Sequence, residues 1–351
     1  FRPGASKNAV SPFDSSSVKL NLDAQGVIDT GDYQAQLREQ MDALLAREGI
    51  ERDRNLTYSA AIYDDDGQMI ATGSLFENTL RCLAVDGAHR GEGLMAVIVA
   101  HLVQAQIERG HTHLFLYTKV DSAKFFAPLG FTEIARVDGR LVFMENRRDG
   151  FSRYLKSLAP YAGERPGAAL VMNANPFTLG HKYLMETAAA QVDSLHVFIL
   201  SENSAENAEF SAEARFELVK KGTKHIKNLL LHRSGDYIIS HSTFPMYFIK
   251  DKADAGRINA DLDLTLFGSA IAPALGITKR FVGTEPFCAV TRAYNERMKQ
   301  ILPKYGVEVI EIPRIGGISA SLVRKAMAEG NLELVSKIVP ETTMEYIRAE
   351  N

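Results

Sequence analysis

AALVMNANPFTLGHKYLMETAAA, running from Ala168 to Ala190, decides the fold. Ala168 to Met172 form a short apolar run suited to a fully buried strand, and Leu184 and Ala188 then recur at helical spacing. Between them lie Asn173, Ala174, Asn175, Pro176, Phe177, Thr178, Leu179, Gly180 and His181. A buried parallel strand feeding a helix places free backbone N–H groups and a positive helix end at the strand's carboxyl edge. That is where phosphates bind in open α/β sheets.

Thr178-Leu-Gly-His181 is similar to the T/H-x-G-H signature of the nucleotidyltransferase superfamily. Ile318-Ser-Ala-Ser-Leu-Val-Arg324 resembles the superfamily's second signature, I-S-S-T-x-x-R. It follows an expected strand over 307–312 and the pair Gly316-Gly317, and it opens a helix expected to reach Glu329. Ser319 or Ser321 can cap that helix through a side-chain oxygen. Their hydroxyls, the free N–H groups and Arg324 would form a cradle for the outer phosphates of ATP.

The chain has 351 residues, more than one hydrophobic core usually serves, so two domains are expected. With 46% hydrophobic and 24% charged residues it reads as neither a disordered nor a membrane chain. A net charge of −3 argues against a non-specific nucleic-acid partner. Cys82 and Cys288 stand far apart, so neither a disulfide framework nor a protein-built metal site is expected. There is no apolar run of the roughly 18 residues that a membrane span needs, and no signal peptide is read. A reducing, cytoplasmic compartment and no membrane partner are the expectation.

Residues 1–30 read as a loose lead-in. A helix from Tyr33 to Arg47 presents Leu37, Met41, Leu44 and Leu45 on one face. Strands at 58–63 and 69–75 flank the turn Asp64-Asp-Asp-Gly67, where the aspartates read as a solvated hairpin tip. A strand at 79–85, a helix from Leu94, a strand at 113–118 and strands ending near Glu145 complete this part. The order resembles the GNAT acyltransferase fold. Ala88-His-Arg90-Gly91-Glu-Gly93 is similar to that family's pyrophosphate loop, although alanine stands in its first place. The resemblance implies that Arg90, Gly91 and Gly93 bind a coenzyme A-like group. Phe126 stands where the family often has a tyrosine general acid, which puts amine acetylation in doubt.

The resulting expectation is an α/β chain in two parts. A GNAT-like mixed α/β domain with its lead-in spans 1–150. A Pro/Gly-rich linker spans 151–167, and a doubly wound, parallel-sheet (Rossmann-like) nucleotidyltransferase domain with C-terminal helices spans 168–351. Within the latter, Ser211 is expected to cap a helix, Arg215 reads equally as a substrate-side or a solvated residue, and a helical insertion is expected over 246–276. Asp261 and Asp263 alternate there with Leu262, Leu264 and Leu266.

Residues 55–351 resemble the citrate (pro-3S)-lyase ligase family, also called citrate lyase synthetases. The specific matches are VMNANPFTLGH, SGDYII with TFP, IAPALGIT-x-RFVGTEPFC and ISAS-x-VR. The resemblance implies a ligase that activates acetate with ATP and Mg2+. It would then acetylate the thiol of the phosphoribosyl-dephospho-CoA group on the citrate lyase acyl carrier subunit. Pyrophosphate and AMP are the leaving products, with acetyl-adenylate between them. His181, Thr178 and Arg324 would carry the catalysis. Asn173, Asn175, Pro176, Phe177, Gly180, Gly283, Glu285, Ser319 and Ser321 would bind ATP. The signatures alone also admit an adenylyltransferase joining AMP to a phosphorylated acceptor such as phosphopantetheine or nicotinamide nucleotide, or a catalytically idle nucleotide sensor.

Overall fold

Alternate residues of the strand opening the second half are buried against two different helical layers, and that arrangement fixes where the site lies. The computed structural model describes residues 31–53, 55–201, 210–239, 244–245, 252–286 and 288–350. The lead-in expected over 1–30 and the first residues of the insertion expected over 246–276 fall outside them. The chain divides into two compact units, Phe1–Gly150 with Pro245–Ala255, and Phe151–Phe244 with Gly256–Asn351.

In the first unit, α1 (Gly31–Arg47) buries Leu37, Met41, Leu44 and Leu45, the last three against Met69, Cys82 and Ala84. A six-stranded sheet follows: β1 (Tyr58–Tyr63), β2 (Met69–Phe76), β3 (Thr79–Val85), β4 (Phe115–Thr118), β5 (Thr132–Val137) and β6 (Leu141–Glu145), in the order β1-β2-β3-β4-β6-β5. Asp64 closes the β1–β2 turn by accepting the N–H groups of Asp66 and Gln68 at 3.0 and 2.8 Å, so this aspartate is spent on the hairpin. All neighbours are antiparallel except β3 and β4. Those two pair in parallel at two positions, Thr79 with Phe115 and Leu80 with Leu116, and the rest of β3 lies outside the ladder between them. Helix α2 (Leu94–Glu108) packs Ile98, Val99 and Leu102 onto the sheet. Phe126, in the short helix α3 (Ala123–Phe126), is buried in the same core, so it packs and does not present an acid.

After β6 the chain forms α4 (Gly150–Leu158). The second sheet is parallel throughout: β7 (Gly167–Met172), β8 (Leu195–Ile199), β9 (Leu229–Arg233), β10 (Ile277–Gly283) and β11 (Glu308–Ile312), in the order β11-β10-β7-β8-β9. Ala168, Leu170 and Met172 of β7 point into one core with α5 (Leu179–Ala189), α6 (Ala212–Gly222) and the helices that follow β11: α10 (Ala320–Ala328), α11 (Leu332–Ile338) and α12 (Glu341–Glu350). Ala169 points the other way, toward α7 (Lys252–Leu266), the π-helical Phe267–Ile271, α8 (Ala272–Leu275) and α9 (Ala289–Ile301). This two-sided burial explains the unbroken apolar run of β7. The chain grows outward from β7 to β9 and then returns to β10 on the other side of β7. The strand order therefore reverses between β7 and β10, and open α/β sheets form their ligand crevice at the carboxyl end of such a reversal.

Candidate active site

Thr178 is the N-cap of α5 and His181 its third residue. The Thr178 hydroxyl accepts the His181 N–H at 3.2 Å, and the His181 Nδ1 accepts the Thr178 N–H at 3.1 Å. This is a capping box with an imidazole in the place usually taken by Glu or Gln. It has a chemical consequence. A nitrogen that accepts an N–H carries no proton, so the neutral ring holds its single proton on Nε2 and presents it as a donor. Burial pushes the imidazole down to about 4, and the nearby Arg314 guanidinium acts in the same direction, so the ring is neutral at pH 7.

The second signature meets the first here. Ser319 caps α10 by accepting the Leu322 N–H at 3.1 Å, which settles which of the two serines does so. Arg324 donates from Nη1 to the carbonyl of Asn175 at 2.5 Å, across 149 residues of chain, and its Nη2 lies 3.5 Å from the Ser321 hydroxyl. A Cβ added to Gly180 would sit 3.4 Å from the Ile318 carbonyl oxygen, so the two signatures pack within van der Waals contact of each other. Gly316 and Gly317, with φ of +60° and +67°, turn the chain into α10.

Residues 167–347 match the family described as "Citrate lyase ligase C-terminal domain", and residues 27–131 match the acetyltransferase (GNAT) family. The citrate (pro-3S)-lyase ligase of Escherichia coli (strain K12) is 42% identical over 295 residues, covering 81% of this chain and 82% of its own. That of Klebsiella pneumoniae is 39% identical over 321 residues, covering 88% of this chain and 92% of its own. The chain belongs to the citrate lyase ligase family.

Within this ligase the expected residues divide into those at the edge and those beneath it. Asn173, Gly180, Gly283, Glu285, Ser319 and Ser321 all stand at carboxyl ends of strands or at the mouths of α5 and α10, and Arg324, one turn into α10, reaches the Asn175 carbonyl. Thr178 is 1% exposed and its hydroxyl is engaged within the cap, where it clamps His181. Phe177 is sealed in the core, with its carbonyl accepting from Thr343 at 2.9 Å. Pro176 is buried as well, in a cis peptide with Asn175. These two support the turn from below.

Arg215 is neither solvated nor directed to substrate. It is buried, and its Nη1 donates to the carbonyl of Asn173 at 2.8 Å and to the Asn173 side chain, which holds the loop after β7 in place. Arg314 was not singled out in the sequence. Its Nε donates to the Thr284 carbonyl at 2.8 Å and its Nη2 pairs with Glu285, so it faces the His181 side of the crevice while tied to the end of β10. Its position two residues past β11, just before the glycine pair, was the available signal.

In the first unit, Gly91 and Gly93 adopt φ of +87° and +81°, and Gly93 leads α2 without a side-chain cap. A Cβ at either would meet open space. Arg90 is exposed and pairs with Glu48. Among the described residues no group of three or more His, Cys, Asp or Glu side chains could hold a metal ion, and no helix is long and apolar enough to cross a membrane.

Proposed function

We propose that this ligase makes acetyl-adenylate from ATP and acetate and passes the acetyl group to a thiol. The thiol belongs to the phosphoribosyl-dephospho-CoA group of the citrate lyase acyl carrier subunit. In the first step an acetate oxygen bonds to the α-phosphorus of ATP while the bond from that phosphorus to the bridging oxygen breaks, releasing pyrophosphate. In the second, the carrier sulfur bonds to the acetyl carbon, the acyl–phosphate bond breaks, AMP leaves and the thiol proton is lost to solvent. Neither step needs a protein nucleophile. Both need alignment and relief of phosphate charge.

The observation that carries the reading is the joining of the two signatures by Arg324 and Asn175 beside a histidine locked as an Nε2–H donor. His181 would donate to an α-phosphate oxygen as negative charge grows there, without changing its own protonation. Ser319, Ser321 and Arg324 would hold the departing pyrophosphate, with the free N–H groups of α10 behind them. Arg314 would add charge on the opposite side, fixed by Glu285 and Thr284. Asn173, Gly283 and Glu285 would border the nucleoside. Mg2+ would enter with the triphosphate and relieve phosphate charge.

The first unit would grip the CoA-like arm of the carrier. Gly91 and Gly93 let a pyrophosphate approach the backbone at the mouth of α2. The unpaired stretch of β3 beside β4 offers backbone groups to the amides of a pantetheine chain.

ATP–pyrophosphate exchange with and without acetate tests the first step. Acetate-dependent exchange, with trapping of acetyl-adenylate by hydroxylamine, is the expected result. Exchange that ignores acetate, or a product formed only with a phosphorylated acceptor, would overturn the reading.

A further inference from the structure

Arg280 takes no part in the chemistry above. It lies on β10 three residues before the strand's carboxyl end and is only 3% exposed. Among the described residues no carboxylate forms an ion pair with it, and its Nη1 has no hydrogen-bond partner. A buried guanidinium nitrogen left without an acceptor is costly, and a fold keeps one where something else completes it.

The surroundings say what that could be. The guanidinium lies over the Phe267 ring, 4.2 Å from its centroid, and beside the Tyr294 hydroxyl. That hydroxyl gives its proton to Asp263 Oδ2, while Asp263 Oδ1 accepts the Ile239 N–H at 2.8 Å. Asp263 is thus occupied by other donors, and Tyr294 orients Arg280 without neutralising it. The Tyr154 hydroxyl nearby is also buried without a hydrogen-bond partner, and burial together with the Asp263 charge pushes its pKa up.

The cluster stands at the functional end of the sheet. Asn295, the residue after Tyr294, donates to the carbonyl of Gly283 at 3.1 Å, and Ile239 lies in the loop beyond β9. At about 3.3 Å per residue, the Arg280 backbone lies roughly 10 Å below that edge, and its guanidinium meets Tyr294, the neighbour of the Asn295 that bonds to the edge.

We propose that Arg280 receives the carboxylate of the acid that is adenylylated, with Phe267 as the apolar floor beneath its methyl group. The proposal rests on the acetate reading above. A small carboxylate supplies the acceptor that Nη1 lacks, and a planar guanidinium already held by Tyr294 fixes the direction of the attacking oxygen. The Phe267 floor limits the chain length of the acid, since extra methylenes would have to displace a buried ring.

The test is the Michaelis constant for acetate in ATP–pyrophosphate exchange, alongside that for ATP. Arg280→Gln should raise the acetate constant at least about tenfold, as loss of a charge-assisted hydrogen bond does, and leave the ATP constant within about threefold. Arg280→Lys should recover only part of the loss, because an ammonium cannot hold a carboxylate in fork geometry. Phe267→Leu should move selectivity from acetate toward propionate. An unchanged acetate constant in folded Arg280→Gln, or equal losses for acetate and ATP, would overturn the proposal. If Arg280→Gln does not fold, Phe267→Leu decides: unchanged acid selectivity overturns the assignment. Wild-type enzyme lacking any acetate-dependent exchange would instead refute the underlying reaction.

Discussion

Replacing His181 with alanine separates two things that one imidazole does. Nδ1 accepts the Thr178 N–H, so the variant leaves that donor unmatched at the mouth of α5. Loss of such a cap costs about 1 kcal/mol of stability, or roughly 2–4 °C in Tm for a unit of this size. Nε2–H is the proposed donor to the α-phosphate, and removing one donor of that kind typically raises the barrier by ~2.7–4 kcal/mol, roughly 100- to 1,000-fold in turnover. His181→Gln tells the two apart. A glutamine at the third helical position can accept the Thr178 N–H in an ordinary capping box, so Tm should recover. Its amide cannot also place a donor where Nε2 stands, so turnover should stay at least about tenfold down. The assay is acetate-dependent ATP–pyrophosphate exchange at saturating substrates, with Tm measured on the same samples. Near-normal turnover in folded His181→Ala would refute the reasoning. So would an activity that returns in step with Tm in the glutamine variant.

Arg314→Lys should raise the Michaelis constant for ATP about tenfold, because the fork that joins Thr284 and Glu285 has no ammonium equivalent; titration of exchange against ATP checks it. Arg90→Glu, which also opposes Glu48, should weaken acetylation of the carrier while leaving acetate-dependent exchange intact, and the two assays run side by side decide. His196 and His232 bond to each other at 3.0 Å in the core of the second unit, and burial lowers both to about 4, His196 adding to the effect on His232. The unfolded chain takes up protons below its usual histidine value of about 6.5 that the native pair refuses. Stability should therefore be flat above that pH and fall between about 6.5 and 4, by at most about 1.4 kcal/mol per pH unit for each histidine. Denaturant titrations at pH 7 and 5 on wild type and His232→Gln measure the slope, which should be shallower in the variant.

Much of this molecule was legible in its sequence because local rules and long-range packing agree there. The apolar run of β7, the Ser211 cap and the helical face of α1 each follow from spacing and cap chemistry alone. The two signatures could be paired before their meeting was seen, since both had to serve the same crevice. What a motif leaves open is what encloses each residue: for Thr178 a histidine that engages the hydroxyl, for Phe177 a core that closes over the ring, and for Arg215 a loop carbonyl that takes the guanidinium. Arg314 and Arg280 escaped notice because the meaning of the first lies in a partner 29 residues away and that of the second in a buried Nη1 left unmatched, and neither has a local signature. Asp263, expected only as a charge among leucines, turned out to be a buried hub for Tyr294 and Ile239.

The reciprocal bonds between Thr178 and His181 bind catalysis to folding in one small ring of atoms. A descendant chain that abandoned adenylyl transfer could not shed this imidazole silently, because the first turn of the helix would fray with it. Duplicated copies drifting toward other duties should therefore either retain the histidine long after its chemistry is gone, or exchange it for glutamate or glutamine. Such a copy would look idle to an assay and sound to a thermometer.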